Sequence, residues 1–301
     1  MSRLALLCCN LFVALASGCA MARHAARDSL EAELAALEHG GRLGVAVLDT
    51  GDGSLRGRRL DERFALCSTF KLILAAMVLD RAASGGPPLG ATVAAGPDDL
   101  QQHAPVVRAA VDAAAARGAA CAELTRAELA EAVQTTSDNA AANLLLREVG
   151  GPDAVTAYCR ALGDTATRLD RYEPAMNDVR PGDARDTTTP RAMARLVARL
   201  LDDALPPAER ETLRRWMIAT ETGAARVRRG LPAGWLAGDK TGTGGGDGVT
   251  VKCNDLVWIE PPGRAPLVVV VYYDTDVVAD WPSAADEEVL AAVGRVVGRM
   301  R

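Results

Sequence analysis

Residues 235–274 read WLAGDKTGTGGGDGVTVKCNDLVWIEPPGRAPLVVVVYYD. Three strands are expected in and around this stretch, at about 234–243, 249–259 and 266–274, with a glycine-rich loop, 244–248, between the first two. Strands this close in sequence pair most simply as antiparallel neighbours. Two more strands are expected near the other end of the chain. The first is 42–49 (RLGVAVLD), and the turn Thr50-Gly51-Asp52-Gly53 leads into a second that ends about Leu60.

Helical patterns fill the middle. An apolar helix over 68–84 is stopped by Gly85-Gly86-Pro87-Pro88. Thr125 and Glu128 form a capping box, with Leu124 and Leu129 as its hydrophobic staple, and open a helix over 126–134. Further helices follow at 139–149, 152–162, 190–203 and 207–219, and the Ala-rich stretch 109–120 reads as a surface helix or loop. Asp28-Ser29-Leu30-Glu31 starts an N-terminal helix whose face carries Leu30, Leu34 and Leu37, and Ser283 caps a last helix ending near Met300. The segment 163–189 has no clean period and is expected to be a long loop, which in a compact protein is often functional. The fold class is therefore α/β in the α+β sense: a five-stranded antiparallel sheet covered by the N- and C-terminal helices, with an all-helical lobe inserted between its strands. The expected division is a discontinuous α/β lobe at about 28–61 and 220–301, and a helical lobe at about 62–219.

The chain has 301 residues, 49% of them hydrophobic, which is ample for a core of two lobes. A formal net charge of -5 without a basic stripe argues against a nucleic-acid binder. Residues 4–16 (LALLCCNLFVALA) behind Arg3, followed by small residues, have the form of a signal peptide spanning 1–22. Cleavage near Ala20–Ala22 is one expectation; Ala16-Ser17-Gly18-Cys19 also resembles a lipoprotein box, with Cys19 as the lipidated residue. Beyond the leader the longest apolar run, 267–273, is too short to span a bilayer. A periplasmic or secreted protein without a membrane span is expected. Of seven cysteines, Cys8, Cys9 and Cys19 fall in the leader, leaving Cys67, Cys121, Cys159 and Cys253, whose pairing the spacing does not choose. No C-x-x-C is present and His24, His39 and His103 are scattered, so no zinc site is expected.

The chemistry begins with lysine. Among 34 basic residues only Lys71, Lys240 and Lys252 are lysine. Lysine, unlike arginine, can lose its proton when desolvated. Ser68-Thr69-Phe70-Lys71 places a hydroxyl and an amine on one helix face, inside an apolar run, where the amine can activate the hydroxyl as a nucleophile. Ser137-Asp138-Asn139 lies between two helices, and Lys240-Thr241-Gly242-Thr243 ends a strand, where a cation and two hydroxyls suit a carboxylate and Gly242 lets a ligand approach the backbone. Taken singly, each has a plain structural explanation: an N-cap serine with a solvated lysine, a capping turn, a polar strand end.

Taken together and in this order, with the phrases FALCSTFKLILAA, TTSDNAAANLLL, LDRYEPAMN, DTTTP and LPAGWLAGDKTGT, they resemble a class A serine β-lactamase from about residue 28 to the C-terminus. The resemblance implies the fold shared with D,D-peptidases and hydrolysis of a β-lactam amide through an acyl-serine, with no metal or organic cofactor and a monomeric protein. It implies Ser68 as nucleophile, its N–H and that of Thr243 as the oxyanion hole, and Lys71 and Glu173 as proton acceptors. Ser137 would protonate the lactam nitrogen. Asn139 would bind the substrate's side-chain amide, and Lys240, Thr241 and Thr243 its carboxylate. Asn177 would hold a water with Glu173. Arg226, or else Arg228 or Arg229, would support carboxylate binding, and His103 would flank the entrance. Arg171 and Asp186 match an ion pair that pins the loop carrying Glu173. Two other activities share part of this set: a D,D-peptidase or transpeptidase, which has no use for Glu173, and a non-catalytic β-lactam sensor, which normally carries membrane helices. The chain departs from the family pattern at Cys67, whose usual partner position is Gly244, so that disulfide is absent and Cys253 on the next strand is not expected to replace it, and also in 244–248, VKCNDLVW and 109–120.

Overall fold

The structure is a computed structural model that describes residues 29–300. The leader, with Cys8, Cys9, Cys19, His24 and the Asp28 cap, lies outside the described residues. In chain order the elements are α1 (29–35), β1 (Gly41–Asp49), β2 (Leu55–Arg58), β3 (Phe64–Ala65), α2 (Phe70–Ala83), β4 (Thr92–Ala95), α3 (Pro105–Ala116), β5 (Ala122–Thr125), α4 (Arg126–Thr135), α5 (Asn139–Val149) and α6 (Pro152–Ala161). A long loop leads to β6 (Thr187–Thr188), and then come α7 (Pro190–Asp202), α8 (Pro207–Ile218), α9 (Val227–Gly230), β7 (Leu236–Gly246), β8 (Val249–Glu260), β9 (Leu267–Val278) and α10 (Ala284–Gly298).

The five-stranded sheet has the order β2-β1-β9-β8-β7 and is antiparallel throughout. The β1–β9 ladder, from Gly41↔Thr275 to Asp49↔Leu267, ties the two ends of the chain together. Both faces are buried, as the period of two demands when layers cover both sides. Val45, Val47, Val257, Val269 and Val271 pack with Leu30 and Leu34 of α1 and Leu290, Val293 and Val297 of α10. Ala46, Leu48, Leu256, Trp258, Val268, Val270 and Tyr272 point the other way, into the core shared with α2, α4, α5, α7 and α8. Phe64 stacks on Tyr272 at a ring separation of 5.8 Å and fixes β3 beneath the sheet.

The caps behave as their residue types require. Thr125 Oγ1 accepts from Glu128 N at 3.2 Å while the Glu128 carboxylate accepts from Thr125 N at 2.7 Å, and Ser283 and Asp286 repeat the arrangement at α10. Elsewhere the structure corrects the expectations. The 244–248 segment is mostly strand: β7 runs to Gly246 with an irregularity after Gly244, and the turn is the two residues Asp247 and Gly248. Their φ values of 51° and 77° are the left-handed pair that a tight hairpin needs. β6 lies within the expected loop and pairs with β3, while β4 pairs with β5; strands of two to four residues are too short to show a period. The 109–120 stretch belongs to α3 through Ala116, with Val111 and Ala114 buried, and leaves the helix beyond it.

Cys67, Cys121, Cys159 and Cys253 are all free thiols, so the Cys67–Cys253 pairing is not formed. Burial pushes the Cys159 and Cys253 thiols up to about 12 and raises Cys67 as well, which leaves all three as inert apolar packing at neutral pH. No helix among the described residues is long and apolar enough to cross a membrane.

Phe64 is 1% exposed, so its truncation leaves a cavity under β9. Phe64→Ala is expected to lose about 3–5 kcal/mol of unfolding free energy. Urea unfolding of the pure variant measures this, and a loss below about 1 kcal/mol would show that the site collapses freely.

Candidate active site

Ser68 lies in a single 3-10 turn, Cys67–Thr69, that runs directly into α2. Cys67 before it has φ 44°, a left-handed conformation that costs a non-glycine residue energy and makes the turn sharp. The turn is held from outside: Leu66 N donates to Asp186 O at 2.8 Å, and Asn254 Nδ2 donates to Ala65 O at 3.0 Å.

One helical turn later, Lys71 is fully buried. Its ammonium donates to Ser68 Oγ at 2.9 Å, to Ser137 O at 2.8 Å and to Asn139 Oδ1, and lies 3.0 Å from Glu173 Oε1. Desolvation lowers its pKa from the usual lysine value, and the charge of Glu173 works against that shift. Lys240 is also fully buried; it donates to Ser137 Oγ at 3.0 Å and to Thr241 O at 2.8 Å. Its pKa is pushed well below the ordinary value, first by desolvation and then by the charge of Lys71. Ser137 thus sits between two buried ammonium groups.

Ser137 itself has φ 62° and lies between α4 and α5. Asp138 secures this strained corner by capping two helices at once. Its Oδ1 accepts from Ala141 N of α5 at 2.9 Å, and its Oδ2 accepts from Val106 N and Val107 N of α3 at 2.9 and 3.0 Å. Asn139 N donates to His103 O at 2.8 Å, which ties the His103 segment to the same corner.

Glu173 reaches the cluster from the long loop. Its Oε1 accepts from Ser68 Oγ at 3.3 Å and its Oε2 from Asn177 Nδ2 at 2.6 Å. Its backbone is clamped by Asn143, whose amide accepts from Glu173 N at 3.0 Å and donates to Glu173 O at 2.9 Å. The base of the loop closes on buried Asp186, which accepts from Asp170 N, Arg171 N and Arg171 Nε at 2.7, 3.0 and 2.5 Å. Asp186 therefore holds both the loop and, through its carbonyl, the Ser68 turn.

β7 forms the opposite wall. The backbone at Gly242 is crowded by the chain itself: a Cβ there would sit 3.0 Å from Leu66 O and from Thr69 Cγ2. A glycine therefore lets β7 lie against the Ser68 turn. Thr241 Oγ1 bonds Thr222 Oγ1 at 2.6 Å. Of the three arginines open from the sequence, Arg226 is the one that reaches the wall: buried, it donates to Gly242 O at 3.0 Å, Asn254 O at 2.7 Å and Thr243 Oγ1 at 2.7 Å. Arg228 instead pairs with Asp239 at 2.9 Å, and Arg229 with Glu288. His103 shares a cleft of about 540 Å³ with Asn139, Asn177 and Thr243; its ring Nε2 lies 2.8 Å from Thr136 O. Of the twelve residues expected from the sequence, His103, Asn139, Asn177 and Thr243 line this cleft, and hydrogen bonds, an ion pair or adjacency on β7 join the other eight to them.

Three contributors were not anticipated. Asn143 stands four residues after Asn139, on the same face of α5, and that spacing could have found it. Asp239 and Asp255 are buried on adjacent strands beneath Lys240, and burial raises both: Asp239 to about 6, and Asp255, facing the charge of Asp239 as well, well above the usual value. Nothing in their local sequence marks two distant strand carboxyls as neighbours. Among the described residues no group of three or more His, Cys, Asp or Glu side chains is arranged to hold a metal ion.

Comparison with known proteins is consistent across three kinds of match. The model of the β-lactamase enzyme family matches residues 26–299. The β-lactamase CTX-M-25 of Escherichia coli is 41% identical over 96% of this chain and 94% of its own. A β-lactamase of Streptomyces albus G is 43% identical over 89% and 83%. Among solved structures, an ancestral class A β-lactamase is 50% identical with a TM-score of 0.82, covering 89% of this chain and 98% of its own. A β-lactamase from Xanthomonas campestris is 44% identical, also with a TM-score of 0.82, over 90% and 97%.

The raised carboxyl of Asp239 makes stability depend on pH. A group whose pKa rises from 3.8 to about 6 on folding supports the folded state below about pH 4, and that support is lost as pH climbs through 6. Asp239→Asn cannot ionise, so its unfolding free energy should gain on that of wild type between about pH 4 and 6 and keep a constant margin above. Urea titrations at several pH values measure the difference; a flat difference across the range would mean that Asp239 titrates as an ordinary carboxyl.

Proposed function

The chain belongs to the class A β-lactamase family and hydrolyses the amide of penicillin- and cephalosporin-type antibiotics, giving resistance to them, and we propose that Ser68 is the residue it acylates. Ser68 Oγ attacks the lactam carbonyl as its proton leaves for Lys71 or Glu173, both of which lie within reach of it. The lowered pKa of Lys71 suits it to the neutral form that accepts a proton. The N–H groups of Ser68 and Thr243 stabilise the oxyanion. The C–N bond then breaks, and Ser137 gives its proton to the lactam nitrogen while taking one from the Lys71 ammonium, which lies 3.4 Å from its Oγ.

Binding uses the β7 wall. Lys240, Thr241 and Thr243 hold the substrate carboxylate, Arg226 orients the Thr243 hydroxyl, and Gly242 brings this wall close to the nucleophile. Asn139 binds the side-chain amide, and His103 borders the entrance.

The observation that carries hydrolysis rather than mere acylation is the Glu173 carboxylate. It is clamped by Asn143 and Asn177 beside Ser68, where it can take a proton from a water attacking the ester. Asn177 Oδ1 is buried without a protein partner and is free to accept from the same water. A transpeptidase, which must spare its acyl-enzyme, gains nothing from this carboxylate.

Residues 1–22 act as an export signal, so that the catalytic domain of 23–301 works in the periplasm or outside the cell, as a monomer, with a lipid at Cys19 as the anchored variant. A discontinuous α/β lobe (about 28–61 and 220–301) and a helical lobe (about 62–219) meet at the cleft.

Glu173→Gln keeps the shape but removes the base. Its steady-state turnover of benzylpenicillin should fall by about 10²–10⁴-fold, with the acyl-enzyme accumulating as a mass increase of one opened lactam on the peptide that carries Ser68. Ser68→Ala should take up no label. Wild-type turnover by Glu173→Gln, or labelling of another residue, would overturn the assignment.

A further inference from the structure

The cleft extends past the catalytic residues to a rim that the mechanism does not use. Its outer end is bordered by the Asp247-Gly248 turn and by the segment after β9, with Asp247, Asp280 and Trp281 among its lining. Trp281 is 63% exposed, the most exposed large apolar side chain among the described residues. An exposed indole costs solvation, and one at the mouth of a binding cleft has a ready use. Its place is set by the catalytic strand itself, since Gly246 N of β7 donates to Ala279 O at 2.9 Å. Asp280 reaches over the same strand, with its Oδ1 3.0 Å from where a Cβ of Gly246 would lie.

The charge at this end is one-sided. Three carboxylates line the cleft, Asp178, Asp247 and Asp280, and no lysine or arginine does. Asp178 is matched by Arg180 at 2.9 Å, a guanidinium that also approaches the Asp247 carbonyl at 3.4 Å. Asp247 and Asp280 have no ion-pair partner among the described residues. Lys71 and Lys240 lie deeper, fully buried and engaged with Ser137. An aromatic face beside two unmatched carboxylates favours a cation, through the ring quadrupole and through charge.

We propose that in this chain the outer end of the cleft is a charge-selective subsite for the substrate's acyl side chain, where Trp281 packs on that side chain and Asp247 and Asp280 select for positive charge. This rests on the assignment of the cleft as the β-lactam site and adds the class of β-lactam it prefers. The same carboxylates disfavour substrates with an anionic side chain, so that selectivity comes from repulsion as well as attraction.

Three penicillins test it, because they share one phenyl ring and differ at the adjacent carbon. Benzylpenicillin carries hydrogen there, ampicillin an ammonium and carbenicillin a carboxylate. 6-Aminopenicillanic acid, which has no acyl side chain, serves as the control. The quantity to read is the ratio of kcat/KM for ampicillin to that for carbenicillin, near pH 6 so that the ammonium is charged. The double variant Asp247→Asn/Asp280→Asn should lower that ratio by about tenfold at low salt, and about 0.5 M salt should lower it in wild type. Trp281→Ala should lower kcat/KM for benzylpenicillin by about fivefold through KM, while leaving 6-aminopenicillanic acid unchanged. Equal losses on the control would mean that the variant is damaged throughout, and would overturn the role of Trp281. An unchanged ratio in the double variant, with normal turnover, overturns the subsite and leaves the β-lactamase reading standing. No turnover of any of the four by wild type would overturn both.

Discussion

Two ammonium groups buried within reach of one serine hydroxyl are the constraint on which the rest of the molecule depends. Desolvating a charge costs several kcal/mol unless partners replace its water. Lys71 obtains those partners from Ser68, Ser137, Asn139 and Glu173, and Lys240 from Ser137 and a backbone carbonyl. The side-chain partners come from the Ser68 turn, the corner between α4 and α5, and the long loop, so none of these can move without exposing or stranding a charge. The residual penalty appears as lowered lysine pKa values, which is the state that proton transfer requires.

A second set of residues holds the first set in place. Asp138 caps α3 and α5 together, Asn143 clamps the Glu173 backbone from both sides, and Asp186 closes the loop while accepting from the Leu66 amide. Strain collects at the same places. Cys67, Ser137 and Asp186 all adopt left-handed backbone conformations, and each is held by hydrogen bonds from elsewhere in the fold. The family match over residues 26–299 covers all of these positions.

Much of the architecture was legible because it rests on local rules. The capping boxes at Thr125 and Ser283 follow from residue types three apart, and the strands β1, β8 and β9 from runs that alternate between two buried faces. The short strands β3 and β6 carry no period of their own; they exist because Phe64 stacks on Tyr272 and the loop is tied down at Asp186. The end of β7 departs from its local pattern for a different reason. Glycines that suggest a loop here continue a strand to a tight Asp-Gly turn.

For the site, the sequence by itself determined the family and which side chains to propose for the chemistry: Ser68 and Lys71 share a helix face, and the order of the motifs points to one family. Tertiary structure alone decided how they meet. It chose Arg226 over Arg228 and Arg229, because only the first emerges beside Thr243. It set Asp239 near Asp255 and brought Trp281 to the mouth of the cleft, through strand register and the hydrogen bond from Gly246 N to Ala279 O. The physical reason is range. Helix spacing and capping act over three or four residues and are written in adjacent letters, whereas desolvation and charge act through space between residues from sixteen to more than a hundred positions apart.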